Sequence, residues 1–279
     1  MVPVIRSVPL SYVLPFINWT YFFHAWHLVG NYDGLTSLCS CDACRKAWLL
    51  RFSSEERPKA EEALRLYGDA QQQLKEWLKS SELSIRVKYA FFDAQSHGQV
   101  ITLSHQGHHL HIPTLRQQHP RPDGTCWALA DFVSPHNDRV GLFAVAVHCT
   151  STCDDTDTYA LLLQRTLADR LAEATSEYLQ QSLLRQHAIR PAFGYPSLPD
   201  VSLLFDVNRF FPLSDIGISL TPHAAMLPTS SICGLYIQHP HVRYFLVGDI
   251  SREQLHWYAR QRNLSPEMLT SFLNLTILS

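Results

Sequence analysis

No apolar run in this chain reaches the roughly 20 residues that a membrane-crossing helix needs. No cluster of lysine and arginine stands out either, and the formal net charge is −2. The first absence argues against a membrane-spanning protein. The second leaves no electrostatic footprint for nucleic acid or a lipid surface. A secretion signal is also missing: Pro3, Pro9 and Pro15 interrupt the apolar stretch from Val2 to Phe16, and no small-residue cleavage site follows it. The expectation is a cytoplasmic protein. Internal repeats, low-complexity tracts and linker-like segments are lacking too, so residues 1–279 are expected to form a single domain. Cysteine is present in an odd number, seven, which without a secretion signal argues for reduced thiols and against a disulfide framework.

What is there describes an ordinary globular chain with enough residues for a sizeable core. Apolar residues make up 46% and charged residues 17%. The aromatic run from Trp19 to Leu28 reads as a short buried helix with Asn18 as its N-cap. A long amphipathic helix is expected from about Glu55 to Lys79, capped by Ser53 or Ser54, because its apolar residues recur at three- and four-residue steps. Strands are expected at Ile85–Phe92 and Gln99–Leu103, joined by a turn near His97-Gly98. The polar segment from His105 to Gly124 reads as a long connection, with further strands at Trp127–Val133 and Val140–His148. The second of these is apolar enough to be buried on both faces. A second long helix spans about Thr156 to Gln186, and on it Asp169, Glu173 and Glu177 share a face. A short helix at Ser202–Phe210 and strands at Ile216–Leu220, Ile232–Gln238 and Tyr244–Val247 follow. Two capped helices close the chain, opening at Ser251 and Ser265. Strands and helices are interspersed without strict alternation, which predicts an α+β fold with a twisted, mostly antiparallel sheet flanked by helices.

One segment stands apart: Arg190-Pro191-Ala192-Phe193-Gly194-Tyr195-Pro196. Two prolines and a glycine keep it from being regular helix or central strand. Gly194 permits a left-handed turn or a close approach, and Arg190 offers a fixed fork of donors suited to a carboxylate. By itself the segment fits a stiff surface connection better than a ligand site.

The motifs around it, taken in order, resemble the reactivation domain of cobalamin-dependent methionine synthase. The resemblance rests on Ile17-Asn18-Trp19-Thr20-Tyr21-Phe22-Phe23, Leu115-Arg116-Gln117-Gln118 and Leu129-Ala130-Asp131-Phe132-Val133-Ser134-Pro135. It continues through Leu167 to Ala174 and Arg190 to Pro196, then Ala225-Met226-Leu227-Pro228, Gly234-Leu235-Tyr236, His239-Pro240 and Arg243-Tyr244-Phe245. It implies S-adenosylmethionine binding and reductive remethylation of cob(II)alamin. The cobalamin would be carried by a methionine synthase module acting in trans, since no such module fits in this chain. Flavodoxin or an equivalent reductase would supply the electron. The family role also implies that the chain is inactive alone.

The resemblance assigns roles residue by residue. Arg190 would bind the ligand carboxylate, and Tyr195 would lie between ligand and cobalamin. Ala192 and Gly194 would offer backbone groups. Tyr244 and Phe245 match an aromatic pair at the ligand, one contributing a side chain and the other a backbone group. Asn18 stands where the family usually has an aspartate, so the charge that would meet the ligand ammonium is missing. Glu173 is a candidate to supply it. Ala225 to Ser230 resembles a corrin-covering segment, with Thr229 in place of a more usual glycine.

A separate signal is Cys39-Ser40-Cys41-Asp42-Ala43-Cys44, whose three thiols have the spacing of soft-metal ligands. The family mechanism needs no metal there, and none is assigned. Two other readings therefore remain open: a docking module that regulates its partner without catalysis, and a thiol-based metal or redox sensor.

Overall fold

The computed structural model describes residues 2–39, 41–150, 157–184, 187–273 and 275–278. A short strand β1 (Val4–Ser7) and a one-turn helix α1 (Leu10–Val13) open the chain. Helix α2 (Trp19–Ala25) follows, with the Asn18 side chain accepting the Tyr21 N–H as N-cap. Next come α3 (Asp42–Leu49) and the long α4 (Arg57–Lys79). Ser53 and Glu56 exchange hydrogen bonds in the turn ahead of α4, Glu56 N–H to Ser53 Oγ and Ser53 N–H to Glu56 Oε2, but the N-cap of the helix is Glu56 and neither Ser53 nor Ser54 occupies it.

Strands β2 (Leu83–His97), β3 (Val100–His105), β4 (His108–Pro113) and β5 (Asp138–Cys149) come next, followed by helix α5 (Thr158–Leu183). The expected ends of α5 at Thr156 and Gln186 lie outside the described residues. After β6 (Ala188–Ile189) come α6 (Leu203–Phe210), β7 (Ser219–Leu220), β8 (Met226–Leu227) and β9 (Ser231–Gln238). Helices α7 (Arg252–Arg262) and α8 (Pro266–Thr270) close the chain, capped by Ser251 and Ser265.

Seven strands form one antiparallel sheet, six in the order β4-β3-β2-β5-β9-β6 and β1 paired to β2 beside that path. One edge of the 15-residue β2 is shared: β1 pairs with its first half (Val4 opposite Tyr89) and β3 with its second (Asp93 opposite Ser104). Strand β5 runs along the other edge and is buried on both faces. Alternate side chains of β5 feed two separate cores, as a period of two requires. Phe143, Val145 and Val147 point to the core built with α2, α4 and α5. Leu142, Ala144 and Ala146 point to the core built with β3, β4, α6 and α7. The mixed α/β architecture with an antiparallel sheet flanked by helices agrees with the sequence expectation.

Several local expectations need correction. Residues 127–133 are not a strand: Leu129–Phe132 forms a 3₁₀ turn. All four of its residues except Asp131 are buried, and a short apolar run does not by itself distinguish strand from helix. Residues 244–247 carry no strand pairing either. There the Val247 N–H bonds to Pro196 O and Gln117 Nε2 donates to Leu246 O, in place of a neighbouring strand. Ile216 ends a 3₁₀ turn, leaving only Ser219–Leu220 extended and paired. The connection from His105 to Gly124 contains a true edge strand, β4, whose Leu110 and Ile112 are buried.

Candidate functional site

Helix α5 and the Arg190–Pro196 segment face each other, and between them and α2 lies a cavity of about 430 Å³. Its lining includes Asn18, Glu173, Arg190 and Tyr195, four residues spread over 178 positions in sequence that the fold brings to one place. Two larger cavities lie elsewhere, one of about 510 Å³ beside the histidines of β3 and β4 and one of about 610 Å³ beside Cys39. Only the smallest of the three gathers the residues expected around a ligand, and its volume lies within the range of small-molecule sites.

The backbone of the Arg190 segment is pinned to the sheet. Phe193 N–H donates to Cys233 O at 3.0 Å, and Leu235 N–H to Pro191 O at 2.9 Å, while Ala192 bridges to Gly234. This approach depends on Gly234, where an added Cβ would stand 2.5 Å from Pro191 O and 2.8 Å from Ala192 Cα. Gly194 then turns the chain with φ of 88°, and its N–H donates to Leu198 O at 2.8 Å. Ala192 is buried; its carbonyl accepts the Tyr195 N–H, which closes the turn. The small residues Ala192 and Gly194 thus shape the turn that carries Tyr195.

Arg190 is held from three sides by α5. Its Nη1 donates to Glu177 Oε2 at 2.6 Å and to Gln180 Oε1 at 3.0 Å, and its Nε donates to Ser176 Oγ at 3.0 Å. Its backbone N–H donates to the Tyr244 hydroxyl at 2.9 Å. Tyr244 therefore acts on the segment through Arg190, with just over half of its surface exposed. Phe245 points the other way: it is buried beside Trp127 and Phe132, ring centroids 6.0 and 6.2 Å away, and does not line the cavity.

The Tyr195 hydroxyl donates to the Glu173 carboxylate, and nearly half of the tyrosine surface stays exposed. Partial burial, then the Glu173 charge, pushes the phenol well above its ordinary pKa, so Tyr195 remains a neutral donor at physiological pH. Tyr244 is raised in the same sense, again mainly by burial.

Sequence reasoning missed several members of this cavity. Glu177 was visible only as the next residue on the acidic face of α5, four positions after Glu173. Arg170 lines the cavity with its Nε buried and without a hydrogen-bond partner. Phe16 and Tyr21 form the apolar wall on the α2 side. Asn18 reaches the cavity as well, but its Oδ1 is engaged in capping α2. Thr229, in the segment before β9, adopts no left-handed backbone and so fits without the glycine, and the neighbouring Ser230 Oγ donates to Asp169 Oδ1 at 2.6 Å.

The cysteine motif lies on a different part of the molecule, at the start of α3. The sulfurs of Cys39, Cys41 and Cys44 all lie within 4.8 Å of one another. Cys41 Sγ accepts the Cys44 N–H and Cys39 Sγ accepts the Cys41 N–H, both at 3.3 Å. Hydrogen bonding within the group lowers Cys41 to about 7 and raises Cys44 to about 12.

An antiparallel α+β scaffold thus sets a half-buried arginine–glutamate pair, a second arginine and a neutral tyrosine around one cavity. The chain belongs to the family of vitamin B12-dependent methionine synthase activation domains, whose model matches residues 9–187 and 182–263. It is also similar to a crystal structure of the MetH reactivation domain bound to AdoHcy. Identity there is 26% and the TM-score 0.82, over 99% of this chain and 90% of the other.

Proposed function

We propose that this chain is an S-adenosylmethionine-binding module that supports reductive remethylation of cob(II)alamin on a methionine synthase. The observation that carries this reading is the gathering of Arg190, Glu173, Tyr195 and Asn18 around one cavity, within a fold similar to a reactivation domain that binds AdoHcy. A zwitterionic amino acid needs a cationic partner for its carboxylate and an anionic partner for its ammonium. Arg190 and the unpartnered Arg170 Nε offer the first, and Glu173 or Glu177 the second. Asn18 contributes a neutral acceptor in place of a charge.

Tyr195 stands at the boundary of the cavity with its ring partly in solvent. This suits a face that meets a flat, largely apolar corrin, while the hydroxyl stays neutral and directed to Glu173. A corrinoid held by a cobalamin-bearing module in trans would supply a cobalt able to take up the sulfonium methyl, with S-adenosylhomocysteine as the leaving group, and flavodoxin or an equivalent reductase would supply the electron that reduces the cobalt first. This chain's residues bind and orient the sulfonium and shield it from water. With the cobalt held elsewhere, the chain alone turns nothing over.

Titration calorimetry with S-adenosylmethionine tests the binding step. Saturable binding that Arg190→Ala weakens is the expected result. Binding untouched by that substitution, or none at all, would leave the docking-module reading in its place. Reconstitution with a separate cobalamin module and a reductase then tests the remethylation.

A further inference from the structure

The family role leaves one built feature of the chain unused: the three thiols at the head of α3. From their mutual placement we infer that Cys39, Cys41 and Cys44 form a binding site for one zinc(II) ion, with the fourth coordination position open to water or to a group from another molecule. This inference does not rest on the S-adenosylmethionine reading, which concerns a different cavity and different elements.

The geometry is close to what the ion requires. Zinc bound to thiolates at about 2.3 Å in a tetrahedron separates its sulfurs by roughly 3.8 Å. The three sulfurs here already lie within 4.8 Å of one another. The backbone supports the arrangement: the N–H groups of Cys41 and Cys44 point at the sulfurs of Cys39 and Cys41. Such N–H···S bonds help to stabilise sulfur that carries negative charge, and the first turn of α3 adds its own positive end.

The ligand set also selects the class of ion. Thiolate is a soft ligand, suited to zinc, copper(I) or iron–sulfur clusters and not to magnesium or calcium. The common iron–sulfur clusters use four protein ligands, and among the described residues no fourth histidine, cysteine or carboxylate joins this group. Cys39 and Cys41 are exposed, which leaves a bound ion in contact with water and favours zinc over the easily oxidised copper(I). A closed disulfide would use only two of the three sulfurs. Coordination uses all three and would tie the connection after α2 to the start of α3.

The test uses the full chain, prepared without a histidine tag and fully reduced, and titrated with zinc(II) against a chromophoric chelator. One zinc per chain is expected. Cobalt(II) in its place should give the intense near-ultraviolet absorption of sulfur-to-cobalt charge transfer. Cys39→Ser, Cys41→Ser and Cys44→Ser should each lower zinc affinity at least about tenfold and diminish that band, while Cys126→Ser leaves both unchanged. Circular dichroism of each variant separates lost binding from lost folding. Failure of the wild-type chain to hold zinc against the chelator overturns the inference. So does zinc binding that survives the Cys41→Ser/Cys44→Ser double substitution, since histidines such as those of β3 and β4 would then carry it.

Discussion

Arg190 and Glu177 meet guanidinium to carboxylate at 2.6 Å on the wall of the cavity, and Gln180 and Ser176 complete the hold on the arginine. The arginine is thereby fixed in direction before any ligand arrives, which lowers the ordering cost of binding. A ligand carboxylate must share the guanidinium with Glu177 or displace it.

Arg190→Ala is accordingly expected to weaken S-adenosylmethionine binding by about 1.5–3 kcal/mol, the range for a hydrogen bond to a charged group. Arg190→Lys should recover only part of the loss, because a point charge cannot reproduce the fork. Glu177→Gln separates two roles. If Glu177 mainly orients Arg190, affinity falls; if it mainly competes with the ligand carboxylate, affinity rises. The geometry favours orientation, since Gln180 and Ser176 leave part of the fork free, so a fall is expected. Calorimetry of the three variants reads all of these outcomes.

Asn18→Asp restores the charge that the family resemblance places at that position. S-adenosylmethionine affinity is expected to rise several-fold while thermal stability stays nearly constant, because aspartate and asparagine cap a helix about equally well. An unchanged affinity would mean that Glu173 already serves the ammonium.

Gly234→Ala should damage both fold and site. The new Cβ would stand against the Pro191 carbonyl and Ala192 Cα, backbone atoms with little freedom to retreat. A loss of about 1–3 kcal/mol in urea unfolding is expected, accompanied by weaker ligand binding. Undiminished binding in a destabilised variant would separate the segment's position from its function.

Asp200 lies fully buried, where Arg262 Nε donates to its Oδ2 at 3.0 Å and the Tyr258 hydroxyl also at 3.0 Å. Asp200→Ala leaves Arg262 with Asp206 as its one charged partner among the described residues. The expected loss is about 3 kcal/mol, at the low end for a broken buried pair because Asp206 remains. Chemical denaturation measures it.

Tyr236 and Tyr258 are held well above the ordinary phenol pKa, chiefly by burial. In the unfolded chain both lose their protons near pH 10, whereas the folded chain keeps them. The unfolded state therefore binds fewer protons above that pH, and stability falls as pH rises, by about 1.4 kcal/mol per pH unit for each tyrosine. Below pH 10 their contribution is fully present. Phenolate absorbance followed beside circular dichroism should show these two ionising only as the chain unfolds.

The parts of the fold that announce themselves through local chemistry were legible in the sequence. Serine at positions 251 and 265 marks helix starts, and the repeated apolar steps of α4 and α5 give their extent to within a few residues. Strand β1 was not legible, because all four of its residues are exposed and no burial pattern distinguishes it. Strand β4 was overlooked for a different reason. Its buried Leu110 and Ile112 alternate with histidines, and the polar surroundings outweighed the alternation.

At the site, the candidates Arg190, Tyr195, Glu173 and Asn18 came from motif resemblance, and the structure collects them. Tyr244 and Phe245 were named on the same ground, one for a side chain and the other for a backbone group; the Phe245 ring belongs to the core, and the Tyr244 hydroxyl meets the Arg190 N–H. Arg170 and Glu177 could have been found by following the four-residue spacing along α5 away from Glu173, since i−3 and i+4 neighbours share a helix face.

Helix α5 meets two separate stretches of chain through one row of side chains: Asp169 holds Ser230, while Glu173 holds Tyr195 and Ser176, Glu177 and Gln180 hold Arg190. Because these anchors sit on a single rigid rod, their spacing is set by helical pitch and not by the loops themselves. Rotation of the rod by one residue, about 100°, would misalign every anchor together. The cavity's walls are thus indexed to one another, and its assembly should be all-or-none.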